Sequence, residues 1–431
     1  MSLTGRAGLV AALGALVVGL LAPSAAGVLA VSGAVLLGVL ADLALAGGVR
    51  GLRLTRAGAT SVRLGEPAEV ELTVTNLGRH RVRGVLRDAW PPSAGAGQQR
   101  HRIDVPPGQR RRLVTTLRPT RRGDRTADRV TVRSVGPLGL AARQGSHRVP
   151  WTVRALPPFH SRRHLPSRLA RLRELDGRTA AMVRGQGTEF DSLREYVLGD
   201  DVRSIDWRAT ARASGVMVRT WRPERSRRIV LVLDTGRTSA GRVGDAPRLD
   251  AALDAALLLA ALAAKAGDQV DLLAYDRQVR AQVYGVSSAK LLPALVDAMA
   301  PLEPSLVESD MRGMAAQLLR RGRRRGLVVL ITGLDAAPVE LGLLPVLPLL
   351  TVRHQLLVAS VADPLIDELA GDRGDVDAVY AAASAERALA ERRHVTATLN
   401  QHGVHVVDAV PERLPPALAD HYLTLKAAGK L

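Results

Sequence analysis

Residues 229–238 read IVLVLDTGRT, and this stretch decides the fold of the C-terminal half of the chain. Five consecutive apolar residues, Ile229 to Leu233, are typical of a strand that is buried on both faces of a sheet. The strand runs directly into a loop, residues 234–238, that carries one carboxylate and two hydroxyl groups. The sequence therefore predicts a buried strand that delivers an acidic, hydroxyl-bearing loop to one edge of the sheet.

Apolar runs and helical patterns alternate from residue 229 to the end of the chain. The predicted strands are 229–233, 270–275, 327–332, 355–361 and 404–410, and the predicted helices are 249–266, 288–300, 310–321, 382–400 and 414–428. This alternation predicts a doubly wound α/β domain over residues 229–431, with a mostly parallel sheet covered on both faces. Ligands of such sheets bind at the carboxyl ends of the strands, where the loop at 234–238 is expected to lie.

A charged segment precedes this domain and reads GQGTEFDSLREYVLGDDVRSIDWRATAR over residues 185–212. It belongs to a predicted linker, residues 158–228. Gly199 and the two aspartates after it predict a turn that leads into a helix over Val202 to Ala213, which Ile205 and Trp207 would anchor to a neighbouring element. The residues predicted to bind a partner are Glu195, Asp200, Asp201, Arg203, Asp206, Trp207 and Arg212.

Three interpretations of these carboxylates are open. They could form an ion-pair network that docks the segment onto the next domain, a surface that docks a partner, or, as the acidic cluster at 189–206, the acid–base groups of a hydrolase. No histidine, serine nucleophile motif or phosphate-binding glycine loop accompanies the cluster. We therefore predict no catalytic residues and a protein that is not an enzyme.

The middle of the chain, residues 52–157, has the alternation typical of short strands. Residues 69–75 read EVELTVT, and turn signals such as Pro106-Pro107-Gly108 separate this segment from others of the same kind. Several period-two segments at this spacing predict an all-β, immunoglobulin-like sandwich.

The N-terminal 49 residues are predicted to form a transmembrane helical hairpin. Two apolar runs lie between Ala7 and Ala46, and each approaches the roughly 20 residues that cross a bilayer. Arg6 and Arg50 flank the pair, so the positive-inside rule predicts a protein of the cytoplasmic membrane whose body lies in the cytoplasm. A cleaved signal over the first run and a buried hairpin in a soluble protein are the alternatives. Asp42 is interpreted as snorkelling or capping.

The charge of the chain is unevenly distributed. Its 431 residues carry a net charge of +19 and no cysteine, and the net charge is zero over 1–48, +14 over 49–150, +8 over 151–228 and −3 over 229–431. The basic excess, almost all arginine, thus lies in the half that follows the apolar runs. We interpret it as a solvated face or as a surface for anionic inner-leaflet lipids, and not as a nucleic-acid site.

The charged segment resembles the defining stretch of the bacterial domain of unknown function 58 family. The matching positions are Gly187-Thr188-Glu189-Phe190, Leu193-Arg194-Glu195-Tyr196, Gly199-Asp200-Asp201, Arg203-Ser204-Ile205-Asp206-Trp207 and Ala211-Arg212, with Pro137-Leu138-Gly139-Leu140 upstream and Glu224 and Asp363-Pro364 downstream. This resemblance implies association with a MoxR-type AAA ATPase, as an adaptor or client in the assembly or maturation of a protein complex.

The order of strands and helices also resembles the von Willebrand A-type fold. In that fold a loop of the form Asp-x-Ser-x-Ser after the first strand helps to bind a divalent cation, and the matching positions here are Asp234, Gly236 and Thr238. A glycine therefore replaces one hydroxyl ligand. In the third loop, the position after Thr332 that should hold an aspartate is a glycine, and the nearest acid is Asp335.

The resemblance makes Asp234, Thr238 and Asp335 a degraded metal motif for Mg²⁺, and Asp310 could add a further oxygen ligand. The alternative is a loop that keeps the turn of the fold without metal, with Asp234 bonded to backbone amides. The function predicted from all of these features is a non-enzymatic, membrane-anchored binding or adaptor protein. The competing functions are a divalent-cation-dependent adhesion-type module and a hydrolase that uses the acidic cluster.

Overall fold

The structure is a computed structural model that describes residues 2–21, 23–182, 189–222, 227–321, 325–429 and 431. The chain divides into two compact units, Met1–Pro158 and Phe159–Leu431. The first contains the apolar helices and a β-sandwich, and the second contains the parallel sheet.

Two apolar helices open the first unit: α1, Gly5–Leu21, and α2, Ala25–Leu45. Ser24 caps α2, since its Oγ accepts the N–H of Gly27 at 3.1 Å. The span Ala25–Gly51 has a mean hydropathy of 2.3 and is long and apolar enough to cross a membrane, whereas the apolar stretch Gly5–Leu20 is shorter. Among the described residues, one helix thus meets the length and composition of a membrane span, and the hairpin with two spans stays a prediction.

The longer strands of the first unit alternate between more buried and more exposed side chains, as the sequence predicts. The strands are β1 Ser2–Leu3, β2 Leu52–Gly58, β3 Ser61–Arg63, β4 Ala68–Asn76, β5 Val82–Asp88, β6 Arg100–Val105, β7 Arg110–Leu117, β8 Gly123–Val135 and β9 Ala141–Leu156. One sheet has the order β1-β9-β8-β5-β6, with β3 added in parallel to β9, and the other has the order β2-β4-β7. Leu72 and Leu113 from the smaller sheet share a core with Leu86 and Val132 from the larger one, so the two sheets pack as a sandwich.

Asp42 joins the end of α2 to the sandwich. Its carboxylate accepts the backbone N–H groups of Leu138, Leu140 and Ala141, each at 2.7 Å, and the residue is fully buried. The interpretation of Asp42 as snorkelling is therefore wrong, and the backbone N–H groups that it caps belong to the sandwich and not to α2. Asp42 closes the turn between β8 and β9 instead.

The second unit contains the alternation of strands and helices that the sequence predicts. Its strands are β10 Glu189–Glu195, β11 Met217–Arg222, β12 Arg228–Asp234, β13 Arg242–Val243, β14 Ala246–Pro247, β15 Gln269–Tyr275, β16 Val279–Val283, β17 Leu327–Ile331, β18 Gln355–Val361 and β19 His405–Ala409. Its helices are α3 Leu165–Met182, α4 Trp207–Thr210, α5 Arg237–Ala240, α6 Arg248–Lys265, α7 Ser288–Met299, α8 Met311–Arg321, α9 Leu347–Thr351, α10 Pro364–Gly371, α11 Val376–Gln401 and α12 Leu414–Ala427. A π-helical segment, Pro338–Leu343, and a 3₁₀ turn, Leu344–Val346, lead into α9.

The main sheet has the order β16-β15-β12-β17-β18-β19. All neighbours are parallel except β15 and β16, which are antiparallel at one edge. Val230 and Val232 of β12 pack towards α8, α9 and α11, while α6 and α12 pack together on the opposite face. The sheet is therefore covered on both sides, which explains why its strands are continuous apolar runs.

The stretch predicted as a linker, residues 158–228, does not behave as one along its whole length. Ser161 donates its backbone N–H and its hydroxyl to Asp254 of α6, and Arg168 of α3 pairs with Asp420 of α12 at 2.9 Å. Leu172 of α3 is only 3% exposed. The first part of the stretch is thus packed onto the helices of the α/β unit.

Candidate functional site

The chain connections place a crevice between the carboxyl ends of β12 and β17. From β12 the chain crosses to β15 on one side, and from β17 it crosses to β18 on the other side. Neighbouring strands whose connections leave in opposite directions define the topological switch point, where open α/β sheets bind ligands. Asp234 is the last residue of β12 and Thr332 follows the last residue of β17, so both lie at this crevice.

Asp234 organises the crevice by accepting hydrogen bonds from three loops. Its Oδ2 accepts the hydroxyls of Thr238 at 2.8 Å and Thr332 at 2.6 Å, and its Oδ1 accepts the hydroxyl of Ser309 at 2.5 Å. The N–H of Gly236 donates to Oδ1 at 2.8 Å. Asp234 is 3% exposed, so a buried carboxylate is stabilised by four donors that converge on it.

Gly236 is required because Ser309 occupies the space beside it. A Cβ at position 236 would overlap Ser309 Oγ and would lie 2.8 Å from the carbonyl oxygen of Val307. The hydroxyl that the Asp-x-Ser-x-Ser pattern lacks at 236 therefore has a counterpart in Ser309, from the loop between α7 and α8. Neither Ser309 nor Thr332 was predicted as a site residue, although Ser309 directly precedes Asp310 and Thr332 directly precedes Gly333, two positions considered for the metal motif.

Asp335 lies close to the same cluster. A Cβ at Gly333 would lie 2.7 Å from Asp335 Oδ2 and 3.0 Å from Thr238 Cβ, so the two side chains converge around Gly333. The structure thus brings together Asp234, Thr238 and Asp335. Asp310 has another role, since its Oδ1 accepts the N–H of Gly313 in the first turn of α8 at 2.9 Å. The suggestion that Asp310 adds a cation ligand is not supported by this geometry.

A second buried aspartate, Asp276, fixes the loop that carries Ser309. Its Oδ2 accepts the Ser305 hydroxyl and the Nε of Arg280, each at 2.7 Å, and Ser305 also donates its N–H to the carbonyl of Thr235 at 2.8 Å. Burial acts to raise the pKa of Asp276, but the Ser305 and Arg280 side chains, together with the backbone N–H groups of Arg277 and Gln278, donate hydrogen bonds that outweigh it and lower the pKa below its ordinary value. Asp276 therefore stays ionised and holds two loops of the crevice together.

The donor chemistry of the crevice suits a hard cation. Among the described residues, no three His, Cys, Asp or Glu side chains come together as a metal-binding group, so a zinc-type site is absent from that part of the chain. The hydroxyls of Thr238, Ser309 and Thr332 each donate their proton to Asp234, which leaves their lone pairs available. With Asp335 these hydroxyls could hold a divalent cation whose remaining ligands are waters.

Residues 189–212 of the charged segment belong to a β-hairpin, residues 189–222, whose long loop carries two short helical turns. Strands β10 and β11 pair antiparallel, and the loop between them contains a 3₁₀ turn, Val202–Ser204, and helix α4. The single helix predicted over Val202 to Ala213 is wrong. Asp206 has an extended backbone and accepts the N–H groups of Arg208 and Ala209 at 3.0 Å, so it begins a new helix at Trp207.

The carboxylates of the loop are used within the loop. Asp200 pairs with Arg194 at 2.5 Å and accepts the N–H of Val197, while Asp206 pairs with Arg219 at 2.7 Å. Arg194 lowers the pKa of Asp200, and the Ala209 N–H together with Arg219 lowers that of Asp206. The ion pairs that these two aspartates form stay inside the hairpin, in contrast to the network expected to dock it onto the next domain.

Apolar side chains of the same loop face solvent. Leu198 is 97% exposed, Val202 is 65% exposed and Trp207 is 69% exposed. Trp207 was expected to anchor the segment against a neighbour, and this expectation is wrong. Other residues of the predicted binding set are exposed as well: Glu195, Asp201, Arg203 and Arg212.

Some predicted positions lie outside the described residues. They are Gly187 and Thr188 of the family pattern and Glu224 downstream; the side chains of Glu189 and Phe190 also lie outside the described part. The acidic cluster at 189–206 is therefore described from Leu193 onward.

Residues 192–401 match the family described as "Protein of unknown function DUF58". Residues 192–401 are a DUF58 domain. The match begins inside the hairpin and ends at the last residue of α11, so the DUF58 domain includes both the exposed loop and the switch-point crevice.

The relatives of the DUF58 domain include uncharacterized proteins of mycobacteria. Mb1516 of Mycobacterium bovis and Rv1480 of Mycobacterium tuberculosis are each 28% identical to this chain over 204 residues, which cover 47% of this chain and 63% of the relative. The chain thus spans less than two thirds of the length of these curated relatives.

Among solved structures, the CARDB domain of the PF1109 protein from Pyrococcus furiosus, crystallised with di-metal ions, is similar to part of the chain. It is 20% identical with a TM-score of 0.19, and the match covers 24% of this chain and 91% of that one. The ASH/PapD-like domain of human CEP192 is 15% identical with a TM-score of 0.18, over 24% of this chain and 84% of that one. These TM-scores are too low to establish a shared fold.

Proposed function

We propose that this protein is a non-enzymatic, membrane-anchored binding protein whose DUF58 domain docks a protein partner on the hairpin loop. The observation that carries the proposal is the exposure of Leu198, Val202 and Trp207 on a loop that is fixed by its own ion pairs. Tryptophan is enriched among the residues that dominate protein interfaces, and a pre-ordered loop loses less entropy when it binds. Arg203, Arg212 and Glu195 would supply the charged rim of the contact.

The same geometry favours binding over hydrolysis. A general acid must hold a proton near neutral pH, which requires a raised carboxyl pKa. The pKa values of Asp200 and Asp206 are lowered instead, because Arg194 and the N–H of Ala209, respectively, stabilise their ionised forms. These carboxylates are therefore suited to shaping the loop and not to donating protons.

The partner that the family resemblance implies is a MoxR-type AAA ATPase. In this proposal the chain is held at the cytoplasmic membrane by its apolar N-terminal segment, and its body lies in the cytoplasm where ATP is available. The domain after the hairpin would be von Willebrand A-like and the β-rich domain immunoglobulin-like. ATP hydrolysis by the partner would provide the work for assembling or maturing a protein complex, and this chain would act as the adaptor.

Replacement of Trp207 by alanine is expected to weaken the complex with the ATPase by about 30-fold or more, the effect of losing an interface hot spot of about 2 kcal/mol. The measurement is capture of the ATPase by the purified full-length chain in detergent, with the ATPase held by a non-hydrolysable ATP analogue. Tyr380→Ala is the matched control, because Tyr380 is an aromatic residue of α11 that is 73% exposed. Tyr380→Ala should bind as the wild type does.

Three results would contradict this proposal. Failure of the wild-type chain to retain any AAA ATPase would remove the adaptor role, and equal retention by Trp207→Ala and the wild type would remove the hairpin loop as the contact. The third is turnover of a small molecule by the purified chain that is lost when a single loop carboxylate is replaced. This result would favour the hydrolase over the binding protein.

The crevice at Asp234 supports a second candidate, divalent-cation-dependent binding of a protein ligand. The supporting observation is the convergence of three hydroxyls on Asp234 with the carboxylate of Asp335 nearby. A cation held there would leave a coordination position for an acidic side chain of a partner.

This candidate predicts that Mg²⁺ raises the melting temperature of the wild-type chain and not that of Asp335→Asn. At ten times its dissociation constant, Mg²⁺ would stabilise the fold by about 1.4 kcal/mol. Asp335 is exposed, so removing its charge should leave the metal-free melting temperature unchanged. Glu340→Gln, at an exposed acid five residues further on, is the control and should keep the response. The absence of any Mg²⁺ effect on the wild type would leave the loop as a metal-free turn.

A further inference from the structure

The junction between α2 and the sandwich fixes the depth of one sandwich turn relative to the apolar helix. Asp42 lies three residues before Leu45, the last residue of α2, which is about 5 Å along the helix axis. Because Asp42 accepts the N–H groups of Leu138, Leu140 and Ala141, the turn at residues 136–141 sits beside the final turn of α2. If α2 spans the bilayer, this turn lies at the level of the lipid headgroups.

The junction is too tightly packed to shift in depth. A Cβ at Gly136 would overlap the Asp42 carboxylate, and the Nε of Arg143 donates to the carbonyl of Leu43 at 2.9 Å. The N-terminal strand also meets the turn, since Leu3 of β1 pairs with Ala141 of β9. The helix, the turn and β1 therefore form one connected body.

The side chains presented by this body suit a membrane interface. Leu138 at the tip of the turn is 56% exposed, Leu3 is 66% exposed, and Pro137 between β8 and β9 is exposed as well. Arginines lie directly beside them. The Arg6 guanidinium lies over Gly139, where an added Cβ would be 3.0 Å from its Nη1, and Arg133 Nη2 donates to the Leu3 carbonyl at 3.2 Å.

Apolar residues with adjacent guanidinium groups match an anionic membrane surface, in which a layer of phosphates lies above the apolar acyl chains. Leucine side chains gain free energy by leaving water for the acyl boundary, and guanidinium groups donate paired hydrogen bonds to phosphate oxygens. Each arginine near an anionic leaflet contributes a factor of about five to partition toward the surface. A protein partner is not favoured here, because a surface fixed at the end of a membrane helix meets lipid first.

We propose that the turn 136–141 and β1 form a membrane-interface wedge, in which Leu3 and Leu138 enter an anionic phospholipid surface and Arg6 and Arg133 bind its phosphates. The wedge rests on the proposed anchoring of the chain by α2. The wedge would hold the sandwich at a fixed orientation to the bilayer, because the hydrogen bonds of Asp42 fix the turn to the end of α2.

The chain contains no cysteine, so a single Leu138→Cys substitution creates one labelling site for an environment-sensitive fluorophore. The labelled full-length chain is reconstituted into vesicles of phosphatidylcholine and phosphatidylglycerol in equal parts. The probe at 138 is expected to be shielded from acrylamide in the water and quenched by a nitroxide-labelled lipid. The matched control is Thr120→Cys, an exposed position beyond the other end of β8 and roughly 40 Å away. A probe there should be quenched by acrylamide and not by the nitroxide-labelled lipid.

Separate readouts distinguish the wedge from the anchoring. Flotation of the wild-type chain with vesicles after alkaline extraction tests the anchoring by the apolar N-terminal helices, and its failure would remove the anchoring and the wedge together. If the chain floats but acrylamide quenches the probe at position 138 as strongly as the probe at position 120, the wedge is ruled out and the anchoring is not. Arg6→Gln combined with Arg133→Gln should reduce shielding at 138 severalfold on the mixed vesicles and leave it unchanged on phosphatidylcholine alone; equal loss on both would contradict phosphate binding.

Discussion

Replacement of Asp268 by leucine is expected to lower the free energy of unfolding of the second unit by roughly 3–5 kcal/mol, the effect of breaking a buried ion pair by removing one partner. Asp268 accepts the Tyr422 hydroxyl at 2.5 Å and the Lys426 ammonium at 3.0 and 3.1 Å. Asp268 is 3% exposed, Tyr422 is fully buried and the Lys426 side chain is 12% exposed. The substitution would leave a buried ammonium and a buried hydroxyl without this acceptor.

Calorimetry of the full-length chain in detergent measures this effect as a fall of about 10 °C in the melting temperature of the second unit. Glu391→Ala is the control, because Glu391 pairs with Arg387 on the surface of α11 and should contribute less than about 1 kcal/mol. Adding Lys426→Met to Asp268→Leu should recover part of the loss, since the unpaired charge is then removed as well. A wild-type melting temperature in Asp268→Leu would show that α12 is not held by this pair.

The parallel strands of the α/β unit could be predicted from the sequence because each is a run of mostly apolar residues. The run Ile229 to Leu233 is apolar throughout, and the strand found, Arg228–Asp234, extends it by one residue at each end. Helix α6 and strand β18 were predicted with similar accuracy. The antiparallel edge strand β16 was missed, since VRAQV over Val279–Val283 has one covered face and no continuous apolar run.

The site was predicted only in part, because its contacts join distant positions. Asp234 and Thr238 lie in one loop, and their hydrogen bond follows from the turn that the sequence predicts. Ser309 and Thr332 reach Asp234 from 75 and 98 residues away, and which hydroxyl meets it depends on how the loops pack. No local pattern marks such a contact.

The hairpin loop shows a competing local effect. Residues 202–213 have the composition of a short helix, but the Asp206 side chain accepts two backbone N–H groups and divides the segment at that position. Helix α4 therefore begins at Trp207, whose side chain is 69% exposed. Trp207 was expected to anchor the segment to a neighbouring element and was also among the residues predicted to bind a partner; its exposure leaves it available to a partner and is the basis of the proposed binding surface.

Replacement of Asp42 by alanine is expected to be as damaging to the first unit as Asp268→Leu is to the second. The substitution removes the acceptor of three backbone N–H groups, and each buried donor left unsatisfied costs about 1–3 kcal/mol. Water entering the junction would satisfy some of them, so we expect a total loss of roughly 3–5 kcal/mol. The measurement is the melting temperature of the first unit in the full-length chain.

The control for Asp42 is Asp128→Ala, because Asp128 pairs with Arg148 on the exposed surface of the same sandwich and should change the free energy of unfolding by less than about 1 kcal/mol. Asp42→Asn should fall between the two, since the amide keeps one acceptor oxygen and turns an N–H₂ group towards a backbone donor. If Asp42→Ala melts as the wild type does, the turn at 136–141 is not held by α2. The depth of the wedge would then be set by lipid contacts alone, which the shielding of the probe at position 138 in an Asp42→Ala background measures directly.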